Sequence, residues 1–135
     1  NLIAVIKGNS SLNNAYNSGE INGGLVGYII NAELNIDNCF LLTDNNIILS
    51  ITDSLISQEN VYRVFDTDNG LIESLKVQDS FLKDRSNLNS FHEFISLDDH
   101  SDGNNVWVFN ENCYPLLYFD NQINSNVELY VNYDL

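Results

Sequence analysis

Residues 11–40 read SLNNAYNSGEINGGLVGYIINAELNIDNCF, in which two similar phrases flank a glycine-rich segment. The phrases at 12–16 and 36–40 both read apolar, any residue, Asn, small, aromatic, and they lie 24 residues apart. A degenerate third copy, VQDSF, occupies 77–81. A repeat of this length is typical of a unit that stacks on copies of itself, because one unit cannot bury its own apolar face.

The repeat therefore predicts an all-β fold, a parallel β-helix (β-solenoid) of about four or five short coils. We assign 1–119 to this solenoid and its C-terminal cap, and 120–135 to a further strand. The aromatic block with Trp107 and Tyr114 is predicted to form the cap, since large aromatic side chains can seal the open end of a stack. The alternative is an antiparallel β-sandwich, because short strands joined by polar turns fit both folds.

Two local features refine this prediction. Gly23, Gly24 and Gly27 interrupt a strand-like run, which predicts close backbone approach between stacked coils or a corner with positive φ. The spacing of apolar residues over 87–97, NLNSFHEFISL, predicts one short helix with Ser86 as its N-cap.

Composition and charge exclude several classes of function. Five basic and nineteen acidic residues give a net charge of −14, which repels nucleic acids and anionic lipid surfaces. The longest apolar run, near residues 25–30, is far shorter than the roughly 20 residues that span a bilayer. We expect a chain without nucleic-acid partners and without membrane insertion in this segment, and we expect it to be part of a longer protein.

The two cysteines carry different predictions. Cys39 occupies the small-residue position of the phrase that Ala15 and Ser80 occupy in the other copies, which predicts a thiol that points inward. A disulfide between Cys39 and Cys113 is the alternative, because sequence spacing does not test bond geometry.

The sequence contains one candidate metal site. Asp98, Asp99 and Asp102 lie in DDHSDGN, a segment rich in potential oxygen ligands, and they form a candidate calcium site with a solvated acidic loop as the alternative. The pattern is not an EF-hand, because the twelfth position, which would carry the bidentate Glu, is Phe109. Two further patterns are weaker: the run of Asp66, Asp68 and Gly70, and the histidine pair His92 and His100, which lacks the additional ligands of a zinc site. No cofactor other than calcium is expected.

Binding and catalytic residues are also sparse. Tyr16, Tyr28 and Tyr62 are candidate platforms for carbohydrate stacking. The sequence has no Gly-x-Ser-x-Gly motif, and its basic residues are scattered, so we expect a protein that is not an enzyme.

The segment NAYNSGEINGGLVGYIINAELNIDNCF resembles the GLUG-motif repeats of large bacterial cell-surface proteins, whose units carry a Gly-Gly-Leu-Val-Gly-Tyr strand followed by an Asn-Cys-Tyr phrase. Residues 107–116, with their Trp and Tyr-Pro-x-Leu elements, resemble the segment that closes such arrays. The resemblance covers 1–40 and 70–119 and leaves 41–69 and 120–135 unexplained. It implies a right-handed β-helix at the C-terminal end of a repeat array, in a secreted or cell-surface, adhesin-like protein.

Two functions follow as hypotheses. The first is a non-catalytic structural or adhesive module that presents a rigid surface to a protein or glycan on a host or neighbouring cell. The second is a carbohydrate-binding or polysaccharide-cleaving β-helix.

Overall fold

A computed structural model describes residues 1–19, 21–91 and 106–118 of this chain. The chain divides into two compact units, Asn1–Asp79 and Ser80–Leu135. The first unit is built almost entirely from strands, and the all-β prediction is confirmed for the described residues. Its strands are β1 (Ile3–Ile6), β2 (Ser10–Asn17), β3 (Val26–Ile30), β4 (Glu33–Leu41), β5 (Ile48–Thr52), β6 (Leu55–Arg63) and β7 (Leu75–Lys76).

Successive strands of this unit alternate between two sheets. The three-stranded sheet has the order β1-β3-β5, and the four-stranded sheet has the order β2-β4-β6-β7. Every pairing within these two sheets is parallel, whereas the sandwich alternative requires antiparallel pairing.

The register of the sheets reproduces the repeat seen in the sequence. In the four-stranded sheet Ala15 pairs with Cys39 and Cys39 with Val61, which are steps of 24 and 22 residues. In the three-stranded sheet Ile3 pairs with Val26 and Val26 with Ile48, which are steps of 23 and 22 residues. Equivalent residues therefore lie side by side on neighbouring strands.

The Asn of each phrase has a positive φ. Asn14, Asn38 and Asn60 have φ values of 57°, 53° and 54°, in the left-handed region that Asn tolerates better than most residues. Each lies inside its strand and changes the direction of the chain there. A second row of positive φ, at Gly8, Asn31 and Asp53, turns the chain from the three-stranded sheet into the four-stranded sheet.

The interior of the first unit is an apolar cluster contributed by both sheets. Leu25, Val26, Ile29, Leu34 and Ile36 are at most 1% exposed. Each of these side chains contributes about 1.5–3 kcal/mol through its removal from water.

The glycine prediction is confirmed. A Cβ atom on Gly27 would lie 2.5 Å from the carbonyl oxygen of Ala4 on the neighbouring strand, and one on Gly24 would overlap the carbonyl of Asn46. These glycines are needed because adjacent turns of chain approach closely at both positions.

Asn17 anchors the turn that follows β2. Its Nδ2 donates to the carbonyl oxygens of Ile21, Gly23 and Gly24 at 2.9, 3.1 and 3.2 Å, and its Oδ1 accepts from the Gly19 amide at 3.0 Å. One buried amide thus satisfies backbone groups that have no strand partner.

The second unit contains short elements. The helix α1 (Asp79–Leu82) begins at the last residue of the first unit and is followed by a 3₁₀ turn at Arg85–Asn87; β8 (Trp107–Val108) pairs antiparallel with β9 (Leu116–Leu117). Trp107 is fully buried and packs against Phe91 with ring centroids 4.9 Å apart.

Two local predictions are wrong. Residues 79–81 of the proposed third phrase lie in α1, and the third copy in register is instead QENVY at 58–62. The predicted helix over 87–97 is not helical at 88–91, and Asp84, rather than Ser86, caps the 3₁₀ turn. Leu88 and Phe91 are nevertheless buried. Residues 92–97 and the strand predicted within 120–135 lie outside the described residues.

Candidate binding surface

The outer face of the three-stranded sheet is apolar and exposed. Val5 pairs with Tyr28, and Tyr28 pairs with Ser50, so the three side chains form a row across the sheet. Val5 and Tyr28 are 46% and 48% exposed, and Leu49, which precedes Ser50 on β5, is 49% exposed. We call Val5, Tyr28, Leu49 and Ser50 the tyrosine face.

The tyrosine face is without charge although the chain carries a net charge of −14. The next residue of each strand is Ile6, Ile29 or Ile51. These three side chains pack in or against the core on the opposite face of the sheet and so hold the strands in place. A tyrosine on a rigid sheet offers a flat apolar ring and a hydroxyl at low cost in side-chain entropy, which suits contact with a sugar ring or with a protein.

The outer face of the four-stranded sheet differs in chemistry. Asn13, Asp37 and Glu59 form one row across β2, β4 and β6, and a second row consists of Ser11, Asn35 and Ser57. The Asn60 Nδ2 donates to the Asp37 Oδ1 at 3.4 Å. The two sheets thus present one apolar surface and one polar, acidic surface.

The three candidate tyrosines do not form one site. Tyr28 lies on the three-stranded sheet, whereas Tyr16 and Tyr62 lie on the four-stranded sheet in register with Phe40. Tyr16 is half-buried and stacks on Phe40, and Tyr62 is only 7% exposed. Burial raises the pKa of Tyr62 above its ordinary value. Of the three, Tyr28 is the most exposed, at 48%.

The weaker metal pattern at Asp66 and Asp68 is held by internal contacts. Asp66 pairs with Lys76 at 2.9 Å, and Asp68 pairs with Arg63 at 3.5 Å and accepts from the Gly70 amide at 2.8 Å. The described residues contain no group of three His, Cys, Asp or Glu side chains that could hold a metal ion. Asp98, Asp99 and Asp102 lie outside the described residues, as do His92 and His100.

Cys39 points into the first unit, as predicted. It is fully buried, and its Sγ lies 3.2 Å from the carbonyl oxygen of Asp37 and 3.6 Å from that of Leu12. Burial raises the pKa of the Cys39 thiol from 9.0 to about 12, so the nucleophilic thiolate is scarce at neutral pH. Cys113 is exposed, and neither cysteine is in a disulfide.

The structure contains an open pocket of about 550 Å³ that was not predicted from the sequence. It lies at the corner between the two sheets and is lined by Asn9, Asn31, Glu33, Asp53, Ser54 and Leu55. The Asn9 Oδ1 accepts from the Glu33 amide at 3.0 Å, and the Ser54 Oγ accepts from the Ala32 amide at 3.0 Å, so these side chains also hold the corner together. The signal in the sequence was the Gly, Asn or Asp at each corner, at positions 8, 31 and 53, because these residues tolerate a positive φ.

Comparisons with known proteins find no matching family model, no similar curated protein and no similar solved structure. No helix among the described residues is long and apolar enough to cross a membrane.

Proposed function

We propose that this chain is a non-catalytic module of a secreted or cell-surface protein, and that it presents the tyrosine face to a partner on a host or neighbouring cell. The observation that carries the proposal is the row of Val5, Tyr28 and Ser50 with Leu49, an uncharged apolar patch on a rigid sheet. Exposed aromatic residues on a preorganised surface are the side chains that contribute most to contact with a partner.

We also propose that the first unit is a right-handed parallel β-helix. The alternation of strands between two parallel sheets and the steps of 22–24 residues support it, because each step then corresponds to one coil. Parallel strands joined by crossover connections are almost always right-handed. The resemblance to GLUG-motif repeats is the basis for the bacterial, adhesin-like setting.

Two features support a role without turnover. The Cys39 thiol is buried with a raised pKa, which disfavours nucleophilic chemistry. The carboxylates of Asp66 and Asp68 are held in ion pairs with Lys76 and Arg63. The proposal keeps calcium, bound by Asp98, Asp99 and Asp102, in a structural role rather than a catalytic one.

The second candidate is a carbohydrate-binding module that stacks a sugar ring on Tyr28. The exposed ring favours it, because the apolar face of a pyranose packs well on an aromatic side chain. In this form the partner is a glycan, and the neighbouring Ser50 supplies a hydroxyl.

The test compares binding of the whole chain and two variants to a glycan array and to cell-surface protein extracts. Tyr28→Ser should reduce binding at least tenfold, as loss of a central aromatic contact of about 1.4 kcal/mol or more would. Phe65→Ser is the matched control, because Phe65 is 44% exposed and lies outside both sheets. Equal binding by both variants and the parent would refute the proposed face.

A separate assay tests the non-catalytic role. Acidic and neutral polysaccharides are incubated with the chain, and new reducing ends are measured. The proposal expects none above the level of a variant that lacks Asp98, Asp99 and Asp102, and release above that level would favour a polysaccharide-cleaving enzyme.

A further inference from the structure

The sequence contains two Asn-Gly pairs, Asn22-Gly23 and Asn69-Gly70, and both asparagines are exposed. In such a pair the backbone nitrogen of the glycine can approach the side-chain amide of the asparagine closely, because glycine has no side chain to block the approach. Both pairs lie in turns of the first unit, one after β2 and the other after β6. Sequence and exposure therefore do not distinguish them.

The pair at 69–70 has hydrogen bonds on both of its reacting groups. The Asn69 Nδ2 donates to the carbonyl oxygen of Ile48 at 2.8 Å, and the Asn69 Oδ1 accepts from the Leu71 amide at 3.3 Å. The Gly70 amide donates to the Asp68 Oδ1 at 2.8 Å. A carboxylate that accepts from an N–H group favours the protonated form of that group, so the Gly70 nitrogen is a poor nucleophile.

The pair at 22–23 has neither restraint. The Asn22 side chain makes one hydrogen bond with the described part of the chain, in which its Oδ1 accepts from the Asn45 Nδ2 at the long distance of 3.5 Å. The Gly23 amide donates to no acceptor among the described residues. The Asn22 side chain can therefore turn towards the Gly23 nitrogen, and that nitrogen can lose its proton to solvent.

We propose that Asn22 is a site of spontaneous deamidation, a reaction that the fold permits at Asn22 and suppresses at Asn69. The deprotonated Gly23 nitrogen attacks the Asn22 Cγ, a carbon–nitrogen bond forms, and the bond from Cγ to Nδ2 breaks to release ammonia. Water then opens the cyclic imide at one of its two carbonyl carbons and leaves aspartate or isoaspartate at position 22. The net reaction consumes one water molecule for each ammonia released, and no atom is oxidised or reduced.

The isoaspartate product alters a turn that is held by hydrogen bonds of fixed spacing. The Asn17 Nδ2 donates to the carbonyl oxygens of Ile21 and Gly23, and the Thr43 Oγ1 donates to the same Gly23 oxygen at 2.6 Å. Isoaspartate adds one carbon to the backbone between these two carbonyls, so the geometry that lets Asn17 reach both is lost. The modification thus weakens the turn between β2 and β3 over time. It goes beyond the proposed function, since it needs neither a partner nor the tyrosine face.

The experiment incubates the whole chain at neutral and mildly alkaline pH, both folded and in urea, and follows the two asparagines by peptide mapping with mass spectrometry. The rate at each site in the folded protein is divided by its rate in urea, which removes the effect of neighbouring residues in the sequence. This ratio should be at least about tenfold higher at Asn22 than at Asn69, because the hydrogen bonds at Asn69 and Gly70 must break first. The rate at Asn22 should rise with pH, because the attacking nitrogen must lose its proton. Equal ratios, or a higher ratio at Asn69, would overturn the proposal.

Two variants separate the chemistry from the fold, and circular dichroism checks that each is folded. Asn22→Gln keeps the amide but places it one methylene further away, so it should abolish the product at this position and leave Asn69 unchanged. Asp68→Ala removes the acceptor of the Gly70 amide and should raise the ratio at Asn69 about fivefold, without changing the ratio at Asn22. An unchanged ratio at Asn69 in folded Asp68→Ala would overturn the structural explanation. If Asp68→Ala does not fold, the ratios of the parent protein still decide the proposal.

The effect on the turn has its own measurement. The isoaspartate form, separated by ion exchange, should unfold at a lower urea concentration than Asn22→Asp, which carries the same charge on an unaltered backbone. Equal urea midpoints for these two proteins would refute the effect on the turn.

Discussion

The ring of Tyr16 on β2 lies parallel to the ring of Phe40 on β4, with centroids 5.0 Å apart and an interplanar angle of 8°. Tyr62 on β6 is the next residue in this register. The final residues of the first two phrases therefore stack on each other, and the final residue of the third occupies the next position in the same row. Such side chains contribute through the area they bury and through ring–ring contact of about 0.5–1.5 kcal/mol per pair.

Replacing Phe40 with Ala should lower the free energy of unfolding by about 3–5 kcal/mol, because it removes a fully buried ring from the centre of this stack. Urea denaturation followed by circular dichroism measures the change. Tyr28→Ala is the control and should cost less than about 1 kcal/mol, because Tyr28 is half exposed. Similar losses for the two variants would contradict the assignment of Phe40 to the interior of the stack.

Replacing Gly27 with Ala should destabilise the first unit by about 3 kcal/mol, because the new Cβ would overlap the Ala4 carbonyl and force two paired strands apart. Gly70→Ala meets no atom within 4 Å and should cost only about 1 kcal/mol, from its φ of 71°. The measurement is the free energy of unfolding of each variant, compared with that of the parent protein. The prediction fails if the Gly27 variant is no less stable than the Gly70 variant.

At position 60 the backbone, rather than the side chain, should decide which residues are tolerated. Asn60→Gly should be nearly neutral, whereas Asn60→Val should cost about 1–2 kcal/mol, because a β-branched residue is strained at a φ of 54°. Both variants lose the hydrogen bond from Asn60 to Asp37. The difference between their free energies of unfolding therefore reports the cost of the positive φ. Ser57→Val on the same strand is the control and should change the free energy of unfolding by at most about 0.5 kcal/mol. Equal stability of the Gly and Val variants at position 60 would contradict the left-handed assignment.

The raised pKa of Cys39 should make the protein less stable in alkali. The unfolded thiol loses its proton near pH 9.0 and the folded thiol near pH 12, so between these values the unfolded state binds fewer protons and is favoured as pH rises. The parent should lose up to about 1.4 kcal/mol per pH unit relative to Cys39→Ala across this window, with no such loss below it. Urea titrations of both proteins at pH 8 and pH 10.5 measure the difference. Parallel pH dependence of the two proteins would show that Cys39 is not buried as described.

Part of this architecture could be predicted from the sequence because small residues mark the positions where there is little room for a side chain. Gly24 and Gly27 marked places where backbones meet, and the small residue of the phrase marked an inward position at Cys39. The third copy was misplaced because Val61 replaces the small residue and Gln58 replaces the apolar one. What stays constant there is the aromatic final residue, Tyr62, and Asn60, whose role is its backbone conformation.

The binding surfaces were harder to predict because exposure depends on the register. Tyr16, Tyr28 and Tyr62 look equivalent in the sequence, but only Tyr28 lies on the outer face of the three-stranded sheet. A cavity in the second unit, lined by Lys83 and Arg85 on one side and residues 109–112 on the other, joins segments about 25 residues apart, and no local pattern brings such segments together.

The connections between strands of the first unit vary in length, while the pairing of the strands does not. Residues 18–25 connect β2 to β3, but residues 42–47 suffice to connect β4 to β5, and the registers on either side are unbroken. The corners therefore act as insertion points that are separate from the stacked faces. A chain built in this way can acquire or lose residues at its corners, and its surface then changes while the strand pairing stays the same.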